Sequence, residues 1–408
     1  MRAMKDSGVA WIGEIPEGWR IINLRYLFQI KKRIAGKEGI DVLSVTQKGI
    51  KIKDLTNNEG QLAQSYRNYQ LVYPGDFVMN HMDLLTGGVD LSNIFGVTSP
   101  DYRVFSPIYK EKISLIFYKY LFICCYINRI FYGFGHGVSN FGRWRLPTDR
   151  FLKFSLPVPP LSEQSAIANY LDKKCAAIDA VIKKEQQVIK KLAEYKQSVI
   201  TEAVTKGLNP DVPMKDSGVE WIGEVPQGWN ITKLKFLSKI NSGDGIHSEE
   251  VKTDGEYSVY GGNGVIGFCN EYNTAEECLI IGRVGALCGN VHHCKRKSFV
   301  SDNALIVNLL SNNNYTYRYF YYLLTAAKLA RLNTSNAQPL VTASRILNIN
   351  VPNIIDEEKI KISNYLDKKC ASIDNVIAKK QQLIDKLTEY KKSLIYEMVT
   401  GKKEVPLC

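Results

Sequence analysis

The side chains able to do chemistry fall into three sets. Cys269, Cys278, Cys288 and Cys294, with His292 and His293, offer thiols and imidazoles to a metal ion. The cysteines are nine, ten and six positions apart, whereas structural zinc knuckles bring two cysteines within about two to four residues. The spacing favours buried thiols, and no metal is expected. Phe134-Gly-His-Gly137 has the look of a glycine-rich loop for S-adenosylmethionine, yet no Asn-Pro-Pro-Tyr-type tetrapeptide follows to hold a flipped adenine. Without a Gly-x4-Gly-Lys-Ser/Thr loop, nucleotide hydrolysis is not expected either. The chain therefore reads as a binder without a catalytic constellation.

The third set suits a polyanion. Tyr132 to Arg150 places Arg143, Arg145 and Arg150 among Gly133, Gly135, Gly137 and Gly142. Arginine forks reach phosphates and guanine edges, and glycines let backbone amides approach phosphates. The corresponding stretch of the second half offers Asn336 and Gln338, whose amides match adenine, and then Arg345. Asn80 and His81 before Gly87-Gly88, and Asn263 with Arg283, complete the loop candidates. Solvated surface loops are the plain alternative. The 53 Lys and Arg exceed the 41 Asp and Glu, a formal charge of +12, which favours nucleic acid over a membrane surface.

The elements that must position these loops are written twice. Met4 to Trp19 and Met214 to Trp229 agree at thirteen of sixteen positions, and Tyr170 to Thr205 agrees with Tyr365 to Thr400 at 25 of 36. Between them lie inserts of little mutual similarity, Arg20 to Asn169 and Asn230 to Asn364. At 408 residues, with 45% hydrophobic and 23% charged residues, the chain has material for two or three domains. No stretch approaches the roughly eighteen uncharged apolar residues of a membrane span. Nine scattered cysteines without an apolar leader suggest reduced thiols in the cytoplasm.

Each second repeat predicts a helix of about forty residues. Ser162, with Glu163 in the first turn, and Asp356 are the capping candidates, and Gly207 and Gly401 are the stops. Heptad spacing puts Leu171, Ile178, Leu192 and Val199 at one core position, matched by Leu366, Ile373, Leu387 and Leu394. Val181, Val188 and Tyr195, with Val376, Leu383 and Tyr390, form a second core position. At 1.5 Å per residue such a helix runs about 60 Å, and its natural partner is the other copy. Glu185 and Lys380 interrupt the stripes at equivalent positions, either as a register-fixing ion pair or as two solvated side chains. Cys175 and Cys370 are small packing residues. Trp11, Trp19, Trp221 and Trp229 either pack at the base of each insert or offer a partner surface. Within the inserts, 41–46, 76–79, 279–281 and 304–307 read as strands, and 113–130 and 315–332 as helices.

Three features together resemble the specificity subunit of Type I restriction-modification systems. They are Trp-Ile-Gly-Glu-x-Pro-x-Gly-Trp, the stretch Leu156-Pro-Val-Pro-Pro-Leu-Ser-Glu-Gln164, and the helix opening Tyr170-Leu-Asp-Lys-Lys. The second copy departs at Val351-Pro-Asn-Ile-Ile-Asp-Glu-Glu358. The resemblance implies a mixed α+β and α/β chain: two globular target recognition domains joined by two long antiparallel coiled-coil helices, as a pseudo-twofold tandem repeat. Residues 1–155 and 208–350 would be the recognition domains, 156–207 the first helix, and 351–408 the second helix with its tail.

It further implies double-stranded DNA as ligand and two modification subunits as partners, with restriction motor-nuclease subunits joining. S-adenosylmethionine, ATP and Mg would belong to those partners and no cofactor to this chain. The rival readings are a self-sufficient DNA methyltransferase and a coiled-coil scaffold without DNA contact. If the inserts are modular readers, exchanging Arg20 to Asn169 for another recognition domain changes one half of the methylated site only. Methylome sequencing checks this, and a change in both halves would refute modularity.

Overall fold

The computed structural model describes residues 2–54, 63–137, 144–310, 314–333 and 339–405. The chain divides into two compact units, Met1–Lys184 with Leu383–Cys408, and Glu185–Gln382. Each unit therefore holds one insert, part of one long helix and the complementary part of the other.

Each unit holds a four-stranded sheet that takes in the expected strands 76–79, 279–281 and 304–307, whereas 41–46 falls in Leu43–Thr46, which pairs apart from it with Gly49–Ile52. In the first, Phe28–Lys31, Arg103–Pro107, Phe77–Met79 and Val89–Leu91 lie in that order, all antiparallel. In the second, Ser238–Ser242, Ala304–Leu309, Cys278–Gly282 and Val291–Cys294 repeat the order and the pairing. A thirteen-residue helix packs on each sheet, Leu115–Ile127 in one unit and Asn314–Ala326 in the other. After each helix the chain turns through a left-handed non-glycine residue, Arg129 (φ 55°) or Lys328 (φ 47°).

The inserts differ in what fills this shared frame. Phe28 meets Phe77, Phe105, Tyr118 and Phe122 edge-on, with ring centroids 5.7, 5.8, 5.2 and 5.3 Å away. Such pairs contribute about 0.5–1.5 kcal/mol each beyond the area they bury. Where the first sheet pairs Phe105 with Phe77, the second pairs Val307 with Leu279. Aliphatic side chains do the same job of burial there, so the two sequences diverge while the sheet persists.

The long helices span Leu161–Lys206 and Asp356–Val399. Both stop at the expected glycines, Gly207 (φ 75°) and Gly401 (φ 76°), where a left-handed turn suits a residue without Cβ. Their starts differ slightly from expectation. The Gln164 amide donates to Pro160 O at 2.9 Å, so Ser162 lies inside the first turn and does not cap it. Asp356 is likewise the first helical residue, and its carboxylate accepts from Lys359 at 3.0 Å.

The first heptad position behaves as predicted. Leu171, Val199, Leu366, Ile373 and Leu394 are buried, and Ile178, Leu192 and Leu387 half-buried. Cys175 and Cys370 are buried beside them. The second position is a correction. Val181, Leu383 and Tyr390 in the first unit, and Tyr195 and Val376 in the second, are 40–51% exposed. One helix covers a single seam of its neighbour, and the adjoining stripe is left facing outward.

Glu185 and Lys380, both in the second unit, form the ion pair at 2.6 Å, with side chains 16% and 28% exposed. They are not two independent solvated residues. Lys196 and Asp374 add a second antiparallel link at 2.6 Å in this unit, and Lys391 and Asp179 make its counterpart at 2.7 Å in the first. Glu185→Lys would set two cations face to face and is expected to cost about 1–2 kcal/mol, between the values for exposed and buried pairs. Adding Lys380→Glu should restore most of the loss, as read from denaturant unfolding. Absence of rescue would show that the pair does not set the register.

Candidate nucleic-acid interface

Each insert is fastened at its base by the same set of bonds. Trp19 Nε1 donates to Glu163 at 2.8 Å, and Trp229 Nε1 donates to Glu358 at 2.9 Å. Strand Arg20–Asn23 pairs with Ser155–Val158, and Asn230–Lys233 with Asn350–Asn353, closing the insert where the long helix begins. Tyr120 donates to Asp172 at 2.8 Å and Tyr322 to Asp367 at 2.7 Å, tying the short helix to the long one. Trp11 stacks on Phe154 at 5.5 Å, and Trp221 Nε1 donates to Asn350 O at 3.2 Å. All four tryptophans thus pack at the bases of the inserts.

Above this base, two loops converge in the first unit. One connects Phe77–Met79 to Val89–Leu91 and carries Asn80 and His81. The other is a hairpin whose stem pairs His136 with Arg145. The Leu146 amide donates to His81 O at 2.9 Å, and the Leu84 amide to Trp144 O at 3.1 Å. Trp144 stacks on Tyr132 at 4.9 Å, and a Cβ on Gly135 would sit 2.6 Å from its indole nitrogen. Asn80, His81 and Arg145 are brought together, while Arg143 lies outside the described residues. Arg150 donates to Phe134 O at 3.2 Å and so fastens the hairpin stem.

The second unit repeats the arrangement with other side chains. Arg283 stands where His81 stands, its carbonyl accepting from the Val341 amide at 2.9 Å, and the Gly285 amide donates to Pro339 O at 3.0 Å. Arg283 Nη1 donates to Ser242 Oγ at 3.3 Å. The turn holding Asn263 lies against this loop: a Cβ on Gly282 would meet Gly262 O at 2.1 Å. Arg345 donates to Leu332 O at 3.2 Å, the counterpart of Arg150. Asn336 and Gln338 lie outside the described residues. Arg150 and Arg345 therefore support the loops, and Asn80, His81, Arg145, Asn263 and Arg283 lie on or beside them.

Sequence reasoning missed Arg103. It is 4% exposed at the start of the inner strand Arg103–Pro107, and its guanidinium lies 4.4 Å over the Phe151 ring. Nη2 donates to Leu146 O at 3.1 Å and to Thr148 Oγ1 at 3.2 Å. Burial pulls it down to about 10, so it stays charged at neutral pH. Burial, then the charges of Arg103 and Arg145, hold His81 down to about 4. The imidazole is therefore neutral at physiological pH.

The four candidate zinc cysteines are separated. Cys278 and Cys294 share one apolar cluster, Cys269 lies in a second and Cys288 in a third. Among the described residues no group of three or more His, Cys, Asp or Glu is placed to hold a metal ion, and no helix is long and apolar enough to cross a membrane.

The low value of His81 fixes a sign for pH dependence. Between 6.5 and about 4 the unfolded chain takes up a proton that the folded chain refuses, so stability falls as pH drops through that window. Discounted for partial exposure, the loss is about 1–2 kcal/mol. Denaturant unfolding at pH 7 and pH 4.5 should show that loss in the wild type and a smaller one in His81→Asn. Equal losses would show that the ring titrates normally.

The chain matches the Type I restriction modification DNA specificity domain family over residues 16–191 and 226–389, once per repeat. It is similar to the Type I restriction enzyme EcoprrI specificity subunit of Escherichia coli, 31% identical over 127 residues, 30% of this chain and 31% of that one. It is also similar to the Type I restriction enzyme MjaVIII specificity subunit of Methanocaldococcus jannaschii, 30% identical over 135 residues, 33% of this chain and 25% of that one. The aligned stretches thus span a third or less of these relatives' length. Likeness of fold extends further. A solved structure concerned with complex assembly and conformational transition of the type I R-M system covers 95% of this chain and 99% of its own, with TM-score 0.70 and 13% identity. Two family matches that together take in most of the sequence, on a fold built twice, place this chain in the Type I restriction modification DNA specificity domain family.

Proposed function

We propose that the chain reads a bipartite, asymmetric site on double-stranded DNA and seats two adenine-N6 methyltransferase subunits on it, catalysing nothing itself. The observation that carries this reading is one sheet-and-loop frame built twice on a repeated base, with different side chains at the same loop positions. His81 and Arg145 occupy the first frame and Arg283 the second, so two unlike half-sites would be read. Asn80, His81, Arg145, Asn263 and Arg283 are the proposed contacts, with Arg143, Asn336 and Gln338 from the adjoining loops. Arg150 and Arg345 hold the loop stems. The net charge of +12 supports a polyanionic ligand.

The outward stripes support paired partners. Val181 and Tyr390 in one unit are the repeat counterparts of Val376 and Tyr195 in the other, and all are exposed. Exposed Leu383 has the half-buried Val188 as its counterpart, so most of the same apolar face is offered twice. Two copies of one modification subunit fit that duplication, with a restriction subunit joining the assembly. S-adenosylmethionine, ATP and Mg would then be held by the partners, in the cytoplasm where the DNA is.

Methylome sequencing of cells making this chain with its modification partner, against cells lacking the chain, tests the reading. A new bipartite motif carrying N6-methyladenine in both halves is the expected result. Unchanged methylation, with purified complex showing no preference among duplexes, would refute it. DNA affinity should also fall steeply with salt, by about 10³–10⁵ between 50 and 200 mM if six to ten phosphates are contacted.

A further inference from the structure

The two frames share one register, and although buried side chains differ between them, Phe28 against Ser238 among them, one buried position differs in charge. Arg103 pairs with Met79, and Leu305 pairs with Ile281. Met79 in turn pairs with Val89, and Ile281 with Val291, so Arg103 and Leu305 occupy the same place in the two sheets. Leu305 is 1% exposed within the core under the second helix. At that place the first sheet buries a guanidinium.

Burying a cation in an apolar layer is costly unless its donors are used. Arg103 uses them on the segment that leaves the hairpin, through Leu146 O and the Oγ1 of Thr148, the first residue of the short helix Thr148–Leu152. Leu146 is itself bonded to His81 O, so one arginine ties the hairpin to the loop bearing Asn80 and His81. The second unit holds its equivalent strand by the Val341 to Arg283 bond without any such cation. Arg103 Nη1 and His81 Nδ1 remain buried without a partner. A cation kept at this cost, with donor capacity to spare, points to a role beyond filling the core.

We infer that Arg103 is a positioning residue for sequence reading by the first insert: it sets the seat of the hairpin relative to the Asn80–His81 loop. It touches the reading loops from beneath and is not itself among the proposed DNA contacts. The inference rests on the DNA-recognition reading proposed above.

The test is Arg103→Leu, which installs the residue the second frame already accommodates, in the full chain with its modification partner. Methylome mapping reads both halves of the motif at once. The expected result is that one half accepts at least one additional base, or falls about 10-fold or more in methylated fraction, while the bases required in the other half stay the same; one mismatched position is worth a comparable factor. An unaltered motif overturns the inference.

Should methylation vanish, the purified R103L complex is titrated with duplexes altered in one half or the other. Discrimination lost in one half and kept in the other supports the positioning role. Loss in both halves indicates general destabilisation and overturns it. A wild-type complex that methylates no bipartite motif would instead bring down the recognition reading itself.

Discussion

An indole N–H donated to a carboxylate in the first turn of a long helix, made once in each unit, is the bond on which the rest of the architecture depends. A buried Trp nitrogen needs an acceptor, and a carboxylate is favoured at a helix N-terminus, so one contact satisfies both requirements. Trp19 and Glu163 are separated by the whole first insert, as Trp229 and Glu358 are by the second. The far end of the other long helix lands on the same ring. A Cβ on Gly401 would lie 3.1 Å from Trp19, and one on Gly207 would lie 3.3 Å from Trp229. Each tryptophan is thus held between the start of one helix and the stop of the other, and glycine at the stop serves both the turn and the close approach.

This base constrains how an insert leaves and returns and leaves its interior free. Closure needs a strand after the tryptophan to pair with a strand before the helix, and both units provide it. Inside, the sheet asks only for buried side chains of suitable total volume. Phe77 and Phe105 can therefore stand where Leu279 and Val307 stand, with the frame unchanged. The loops at the open side carry no such demand, and there the two units differ most.

The same division decides what the sequence reveals. The duplication, the helix lengths, the glycine stops and four of the insert strands are signals carried by repeats, periodicity and turn residues, and they are legible. The Glu185–Lys380 pair was foreseeable because repeat alignment puts opposite charges at equivalent positions. The exposed second stripe was not, because an apolar period shows that a face wants cover without showing whether this chain supplies it. Nor was the identity of the two frames, since Val for Phe leaves no sequence trace when burial alone is required. Arg150 and Arg345 read as ligand-facing arginines, yet a guanidinium fork fits a main-chain carbonyl as well as a phosphate. Only geometry separates those uses.

Arg103 is where the two kinds of constraint meet. A buried position in a sheet normally belongs to the frame and asks for an apolar residue, as Leu305 does. A polar loop side chain normally belongs to the surface and is exchangeable. A guanidinium at a frame position, bonded to the segment that leaves the hairpin, couples the two. In the second unit the loop at Arg283 is held by main-chain bonds to Val341 and Pro339 and by the Arg283 side chain on Ser242 Oγ, contacts that bury no cation in the sheet. In the first unit part of the hold comes from a guanidinium buried in the sheet. New loops there must keep Leu146 O and Thr148 Oγ1 in reach or leave a buried cation unpaired, at a cost of several kcal/mol. A buried cation thus ties the loops of the first unit to its sheet, a constraint that Leu305 does not place on those of the second.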